Sequence, residues 1–361
     1  MKFVSSFKTR FAKLKAWARK HPRKALIFGG IFLVLVACSI TYLLLSQKPA
    51  AAPTITISKP KPKPATVFYS PLTGKKVDEA ATKIPLTAIM IENSPDARPQ
   101  SGIKSAGVVY EAVAEGGITR FLTIFQEDKP QLIGPVRSLR MYYLDWAAGY
   151  DAGIAHIGGS AAALAEVRNG TYKDLDQFFN AGSYWRATDR YAPHNVYTSF
   201  EKLDALNAAK GNTGSNFTGF TREDDKPADT PDASQVYINF SGPMYNTAYT
   251  YDKASNTYLR SVGGQPHMDR ESGQVTPSVV IAMKVNMTRV LEDGYRESIS
   301  TIGQGEAVVF QNGTAINATW RKSARKAPLE IIDAAGNPIV LNRGQTWIAA
   351  VPNGQGSVSW E

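Results

Sequence analysis

Leu86-Thr87-Ala88-Ile89-Met90-Ile91-Glu92 is a near-continuous apolar run closed by a carboxylate. A strand with one wet face would alternate apolar and polar residues. This run does not, so it reads as a strand buried on both faces. Such a strand needs a layer on each side, which points to an α/β domain built on a mixed sheet. Gly107-Val108-Val109-Tyr110-Glu111-Ala112-Val113-Ala114 and Arg120-Phe121-Leu122-Thr123-Ile124-Phe125-Gln126 predict two more strands, and Ala152-Gly153-Ile154-Ala155-His156-Ile157 a fourth. Ser138 is placed to cap a helix through Met141, Leu144 and Trp146 to about Tyr150. Gly158-Gly159-Ser160 leads into a helix over 161–167, and Ser199 caps a last one over 200–209. Together these elements set an α/β domain at 67–210.

Residues 211–234 are rich in Gly, Asn, Thr, Asp and Pro and read as a polar connector. Beyond it only strand signals recur, at 236–240, 248–251, 257–260, 279–283, 307–310 and 346–351. Asn312-Gly313, Gly336-Asn337 and Asp293-Gly294 supply hairpin or tight-turn pairs. The expectation is a small all-β domain, sandwich or barrel, over 235–352, with a tail at 353–361.

Upstream, residues 25–45 carry no charge and follow nine cations, Lys2, Lys8, Arg10, Lys13, Lys15, Arg19, Lys20, Arg23 and Lys24. As a helix this segment is about 31 Å long, the thickness of a bilayer's hydrocarbon core. The basic flank keeps 1–24 cytoplasmic and sends the rest across the membrane, so the lipid bilayer is the expected partner of 25–45. Residues 46–66 alternate Pro with Ala and Lys and read as an extended spacer. Leu35-Val36-Ala37-Cys38 matches a lipoprotein lipobox, which would make Cys38 a lipidation site. The apolar run continues through Ile40, Tyr42, Leu43, Leu44 and Leu45, where a signal peptide usually turns polar, so an uncleaved single span is the preferred reading.

The net charge of +10 is misleading about partners. Nine of the 41 lysines and arginines precede the span and four more lie in the spacer, leaving 28 against 31 acidic residues outside. No overall pull towards nucleic acid remains. Cys38 is the only cysteine, so the external part folds without disulfides, which its length of about 300 residues permits.

The polar residues concentrate after strands, where loops of α/β folds form ligand sites. Asn93, Arg98, Arg120, Arg137, Ser138, Arg140 and Asn195 are the candidate ligand-binding set, because guanidinium groups take carboxylates and phosphates in bidentate fashion. Ion pairing with Glu92, Glu111, Glu115 and Asp145 is the alternative for each arginine taken singly. His156, His194, Glu111, Glu115 and Ser160 are candidates for acid/base or nucleophilic chemistry. Gly158-Gly159-Ser160-Ala161-Ala162 lacks the second glycine of a nucleophile elbow, and no histidine or cysteine spacing suggests a metal. No metal or cofactor is expected. His267 and Trp347 show no recognisable partners, and the basic run Trp320-Arg321-Lys322-Ser323-Ala324-Arg325-Lys326 reads as a solvated strand and turn.

Several motifs resemble the YerB-like family of bacterial lipoproteins. They are Ser70-Pro-Leu-Thr-Gly74, the stretch 91–102, Tyr110-Glu-Ala with Glu115-Gly-Gly-Ile-Thr-Arg-Phe121, Ile133-Gly-Pro-Val-Arg-Ser138, His156-Ile-Gly-Gly-Ser160, Ala192-Pro-His-Asn195, Tyr249-Thr-Tyr-Asp252, 305–320 and Leu341-Asn-Arg-Gly-Gln-Thr-Trp347. The resemblance covers 69–352. It implies an N-terminal and a C-terminal domain of unknown function and a membrane-anchored, extracytoplasmic location, and it carries over no catalytic residue. The apolar run past Cys38 departs from the lipoprotein pattern. The expected function is a tethered, non-enzymatic envelope protein that binds an anionic or glycan ligand through the arginines. A hydrolase acting on envelope glycan or peptide, and a scaffold for membrane proteins, are the alternatives.

Overall fold

The computed structural model describes residues 2–47, 66–289 and 296–361, with side chains in the first helix from Thr9 onward. Most of the 46–66 spacer and the Asp293-Gly294 turn lie outside the described residues. The chain forms two units, 1–64 and 65–361. The first holds α1 (Lys2–Lys20) and α2 (Pro22–Leu45). Pro22 occupies the first turn of α2, where its missing N–H costs nothing. Helix α2 buries none of its residues and is long and apolar enough to cross a membrane.

The second unit centres on a ten-stranded mixed sheet. In chain order its first strands are β1 (Thr87–Glu92), β2 (Val108–Val113), β3 (Thr119–Phe125), β4 (Gly153–His156) and β5 (Lys173–Asp176). A separate hairpin pairs β6 (Tyr184–Arg186) with β7 (Val196–Thr198). A second sheet contributes β8 (Gln235–Asn239), β9 (Thr247–Asp252), β10 (Thr257–Val262) and β11 (Gln265–Pro266). The large sheet resumes with β12 (Val279–Val285), β13 (Gly303–Gln311), β14 (Thr314–Lys322), β15 (Glu330–Ile332) and β16 (Thr346–Pro352), and β17 (Ser357–Trp360) closes the second sheet. Across the large sheet the order is β15-β14-β13-β12-β16-β2-β3-β1-β4-β5.

All six residues of β1 are buried, as its apolar run requires. Ala88 and Met90 enter one core, and Ile89 and Ile91 the other. The first core is roofed by α3 (Met141–Ala148) and α4 (Ala161–Val167), the second by the five-stranded sheet and α5 (Phe200–Ala209). The result is three layers. Ser160 and Ser199 cap α4 and α5 by accepting from the amides of Ala163 and Lys202. Ser138 does not cap α3: that helix starts at Met141, with Arg140 in the cap position and no side-chain cap bond.

The two halves of the sequence do not separate in space. Strand β16 runs parallel between β12 and β2, pairing Ile348 with both Ile281 and Tyr110. The second half therefore adds five strands, β12 to β16, to the sheet of the first, and residues 65–361 form one compact unit. The expected connector at 211–234 carries a short strand, Arg222–Glu223, parallel to Leu341–Asn342. The expected tail is β17, paired antiparallel with β8. The Asn312-Gly313 turn is as read from sequence: both residues have positive φ, and Gln311 faces Thr314 across the β13–β14 hairpin.

Candidate functional site

The four arginines expected to converge are distributed over three places. Arg120 and Arg140 clamp Glu115 from both sides: Arg120 Nη2 donates to Glu115 Oε2 at 3.0 Å and Arg140 Nε to Glu115 Oε1. Burial alone would raise the Glu115 carboxyl, but the two guanidinium groups outweigh it and hold it below its ordinary value. Arg120 also donates to the Ser138 carbonyl at 2.8 Å, which is Ser138's part in this cluster. Arg137 lies 3.3 Å from Glu92. Arg98 donates Nε to Asn93 Oδ1 at 3.0 Å and Nη2 to the carbonyls of Asn93 and Met244, each at 3.0 Å. Ion pairing thus accounts for Arg120, Arg137 and Arg140.

Asn93 belongs to a closed ring of buried hydrogen bonds that sequence reading missed. Asn93 Nδ2 donates to Thr119 Oγ1 at 2.7 Å, and Thr119 to Glu111 Oε1 at 2.9 Å. Glu111 Oε2 accepts from Arg260 Nη2 at 2.7 Å and from Trp347 Nε1 at 3.0 Å. Arg260 donates to His267 Nδ1, so His267 Nε2–H donates to Gln100 Oε1 at 2.9 Å. Gln100 closes the ring on Asn93 Oδ1 at 3.1 Å. Glu111 and Arg260 are both 0 % exposed. Burial and the charges of Arg260 and Arg98 push the His267 imidazole well below its usual range, which keeps it neutral as this arrangement requires. His267 and Trp347, without visible partners in the sequence, meet edge to face at 5.9 Å. The ring ties β2 of the large sheet to β10 of the small one. Its depth removes Glu111 from surface acid/base chemistry, and Glu115 is committed to its arginines.

His156 is buried at the end of β4 and also committed: Nδ1 faces the Gly158 carbonyl at 2.8 Å and Nε2 faces Asp174 at 3.1 Å. Asp174, Asp176 and His156 are the one group with metal-ligand atoms close together among the described residues. Asp176 Oδ1 approaches from the Nδ1 side at 3.8 Å, opposite Asp174. One donor atom from each of the three residues lies within 4.8 Å of the others, and Asp176 is also held by Arg168. The Ser160 hydroxyl serves as a helix cap. Gly158 makes this turn with φ +63°, its amide turned to Asp176.

His194 shares Glu92 with Arg137. Its Nδ1 lies 3.0 Å from Glu92 Oε2 and 3.2 Å from Ser94 Oγ, while Nε2 lies 3.9 Å from Asp96. Both Ser94 and Glu92 meet the same ring nitrogen, which is not the geometry of a nucleophile triad. His194 borders a cleft of about 760 Å³ lined with Asp96, Arg98, Asp189, Arg190, Tyr191 and Arg270. Arg190 donates to the carbonyls of Asp96 at 3.1 Å and Pro99 at 2.6 Å. Arg270 reaches from the far half of the chain to Asp189 at 2.7 Å, and that bond lowers the Asp189 carboxyl. Asn195 braces the loop, donating to the carbonyls of Ala187 and Arg190 while accepting from Arg186. Tyr191 is 91 % exposed. Of the expected ligand set, only Arg98 lines the cleft and Asn195 shapes it. Arg190 and Tyr191 adjoin His194 in sequence, whereas no local signal announces Arg270.

The basic run at 320–326 is not a solvated face throughout. Trp320 and Lys322 are buried, and Lys322 donates to the carbonyls of Arg325 and Ala327. Burial pulls the Lys322 amine down to about 8.

These features define a three-layer α/β protein with one apolar N-terminal helix and a charged surface cleft. The description "Protein of unknown function (DUF3048) N-terminal domain" matches residues 72–214, and "Protein of unknown function (DUF3048) C-terminal domain" matches 236–348. A Bacillus subtilis (strain 168) protein described as "Putative lipoprotein YerB" is 32 % identical over 325 residues, covering 89 % of this chain and 95 % of that protein. The crystal structure of YerB from Bacillus subtilis superposes with a TM-score of 0.73 at 31 % identity, covering 81 % of this chain and 99 % of that one. The chain belongs to the YerB-like family, whose two paired domains have no described activity.

Proposed function

We propose that this is a membrane-anchored envelope protein whose cleft binds an anionic glycan or polymer outside the membrane. The observation that carries the reading is the lining of the cleft. Arg98, Arg190 and Arg270 stand against Asp96 and Asp189, with His194 at the border and the Tyr191 ring exposed beside them. Fixed guanidinium groups suit carboxylate or phosphate, and an exposed ring suits the flat face of a sugar. Arg190 and Arg270 are already held by protein partners, so little ordering entropy is lost on binding. The described hydrogen bonds commit Glu111, Glu115, His156 and Ser160 elsewhere, which favours binding over hydrolysis.

The anchor is α2, read as an uncleaved span with a cytoplasmic N-terminus. The apolar run continues past Cys38 through Ile40, Tyr42, Leu43, Leu44 and Leu45, where a signal peptide usually turns polar, and this pattern favours a span over cleavage and acylation at Cys38. The intact mass of the native chain distinguishes the two.

The ligand reading is tested on residues 65–361 by thermal unfolding with phosphate-bearing and carboxylate-bearing wall polymers and their neutral counterparts. A ligand at 100 times its dissociation constant adds about 2.7 kcal/mol. We expect stabilisation by a charged polymer and its loss in Arg190→Ala and Arg270→Ala. Equal stabilisation of wild type and both variants would place the ligand elsewhere.

A further inference from the structure

The first helix carries a surface that the cleft does not use. In α1, Phe11, Leu14 and Trp17 recur every third residue, and all three are exposed, Leu14 most at 64 %. At 100° per residue they span an arc of about 120° centred on Leu14, with Ala18 inside it. Lys15 and Arg19 flank one side of the arc and Lys13 and Lys20 the other, while Ala12 and Ala16 fall opposite. Arg10 is the one cation within the arc, and its long stem allows the charge to reach outwards. The helix has no acidic residue.

Two observations select the occupant of this face. The flanking cations match an anionic surface. The face is also continuous with the apolar helix that follows after a single residue: Trp17 meets Phe28 of α2 edge to face at 6.1 Å and lies tilted against His21 at 5.8 Å. A helix joined this closely to a membrane-length apolar helix stands at the level of the headgroups, where Trp is favoured and where basic amphipathic helices lie in the plane of the interface.

We propose that α1 is an interfacial helix, docked through Phe11, Leu14 and Trp17 on an anionic phospholipid leaflet, and that its partner is the lipid surface itself. It is a second membrane contact, distinct from the span, and it holds whether or not the cleft binds a glycan.

The test uses the full chain with Cys38→Ala and a single cysteine at Leu14→Cys or Ala16→Cys, labelled with NBD. The protein is reconstituted in phosphatidylcholine vesicles with and without phosphatidylglycerol. Expected is a blue-shifted emission at position 14 that strengthens with phosphatidylglycerol, beside water-like emission at position 16 in both vesicles. Lys13→Glu with Lys15→Glu and Lys20→Glu should remove the phosphatidylglycerol dependence while the chain stays inserted through α2. Water-like emission at both positions in anionic vesicles overturns the proposal. Equal blue shifts at both positions also overturn it, because the helix would then be enclosed on all sides. A shift at position 14 that follows protein density rather than lipid charge overturns it in favour of a second copy. So does a native chain whose mature form begins at Cys38.

Discussion

Glu115 shows how the polar residues of this chain divide their work. Its carboxylate sits between Arg120 and Arg140, and the two cations hold its pKa below the ordinary 4.5. Because the folded value is the lower one, the cluster contributes stability that is complete above about pH 4.5 and drains as pH falls through the folded value. Glu115→Gln leaves two poorly hydrated guanidinium groups without a counter-charge and is expected to cost about 3 kcal/mol at pH 7. Denaturant unfolding of residues 65–361 from neutral to acid pH checks this: the gap between variant and wild type should close as pH falls. A gap that stays constant would mean that the lost stability is not ionic. That arginines and acids would pair was legible in the sequence. Which acid takes which arginine was not, since Glu115 gathers one cation from β3 and another from the start of α3.

Individual elements were legible where a local rule fixes them, and partners were not. The unbroken apolar run of β1 requires two covered faces, and it has them. Ser160 and Ser199 cap the helices they precede because the cap bond spans only three residues. The ring through Glu111, Arg260, His267, Gln100, Asn93 and Thr119 follows no local rule. Its members come from positions 93 to 267 and meet only because two sheets stack. Its energetics predict a sharp asymmetry. Arg260→Met strands the Glu111 charge in the core and should cost about 3–5 kcal/mol. Adding Glu111→Gln removes the stranded charge and should restore part of that loss. A double-mutant cycle by denaturant unfolding measures the coupling. Additive losses would show that the pair does not act as one unit.

At the scale of the molecule, the informative difference is between sequence units and folding units. The two family descriptions divide the chain at 214–236, where composition also turns polar. The sheet ignores that division. Strand β16 arrives from the end of the chain to lie between β12 and β2, burying all seven of its residues. Parallel pairing across more than 200 residues leaves no mark in local pattern, because every strand buried on two faces reads alike. The physical consequence is that β2 has no second neighbour without β16, and its unpaired backbone would lie at an apolar edge. A chain restricted to 67–210 would also lose the five-stranded sheet that covers Ile89, Ile91 and Phe121. We therefore expect 67–210 alone to lack a cooperative thermal transition and to aggregate, while 65–361 unfolds in one step. Co-expressing 67–210 with 215–361 should recover a soluble complex with the near-ultraviolet circular dichroism of the intact unit. A cooperative, monomeric 67–210 would mean that the first half carries its own core and that β16 is an addition to a sheet already complete.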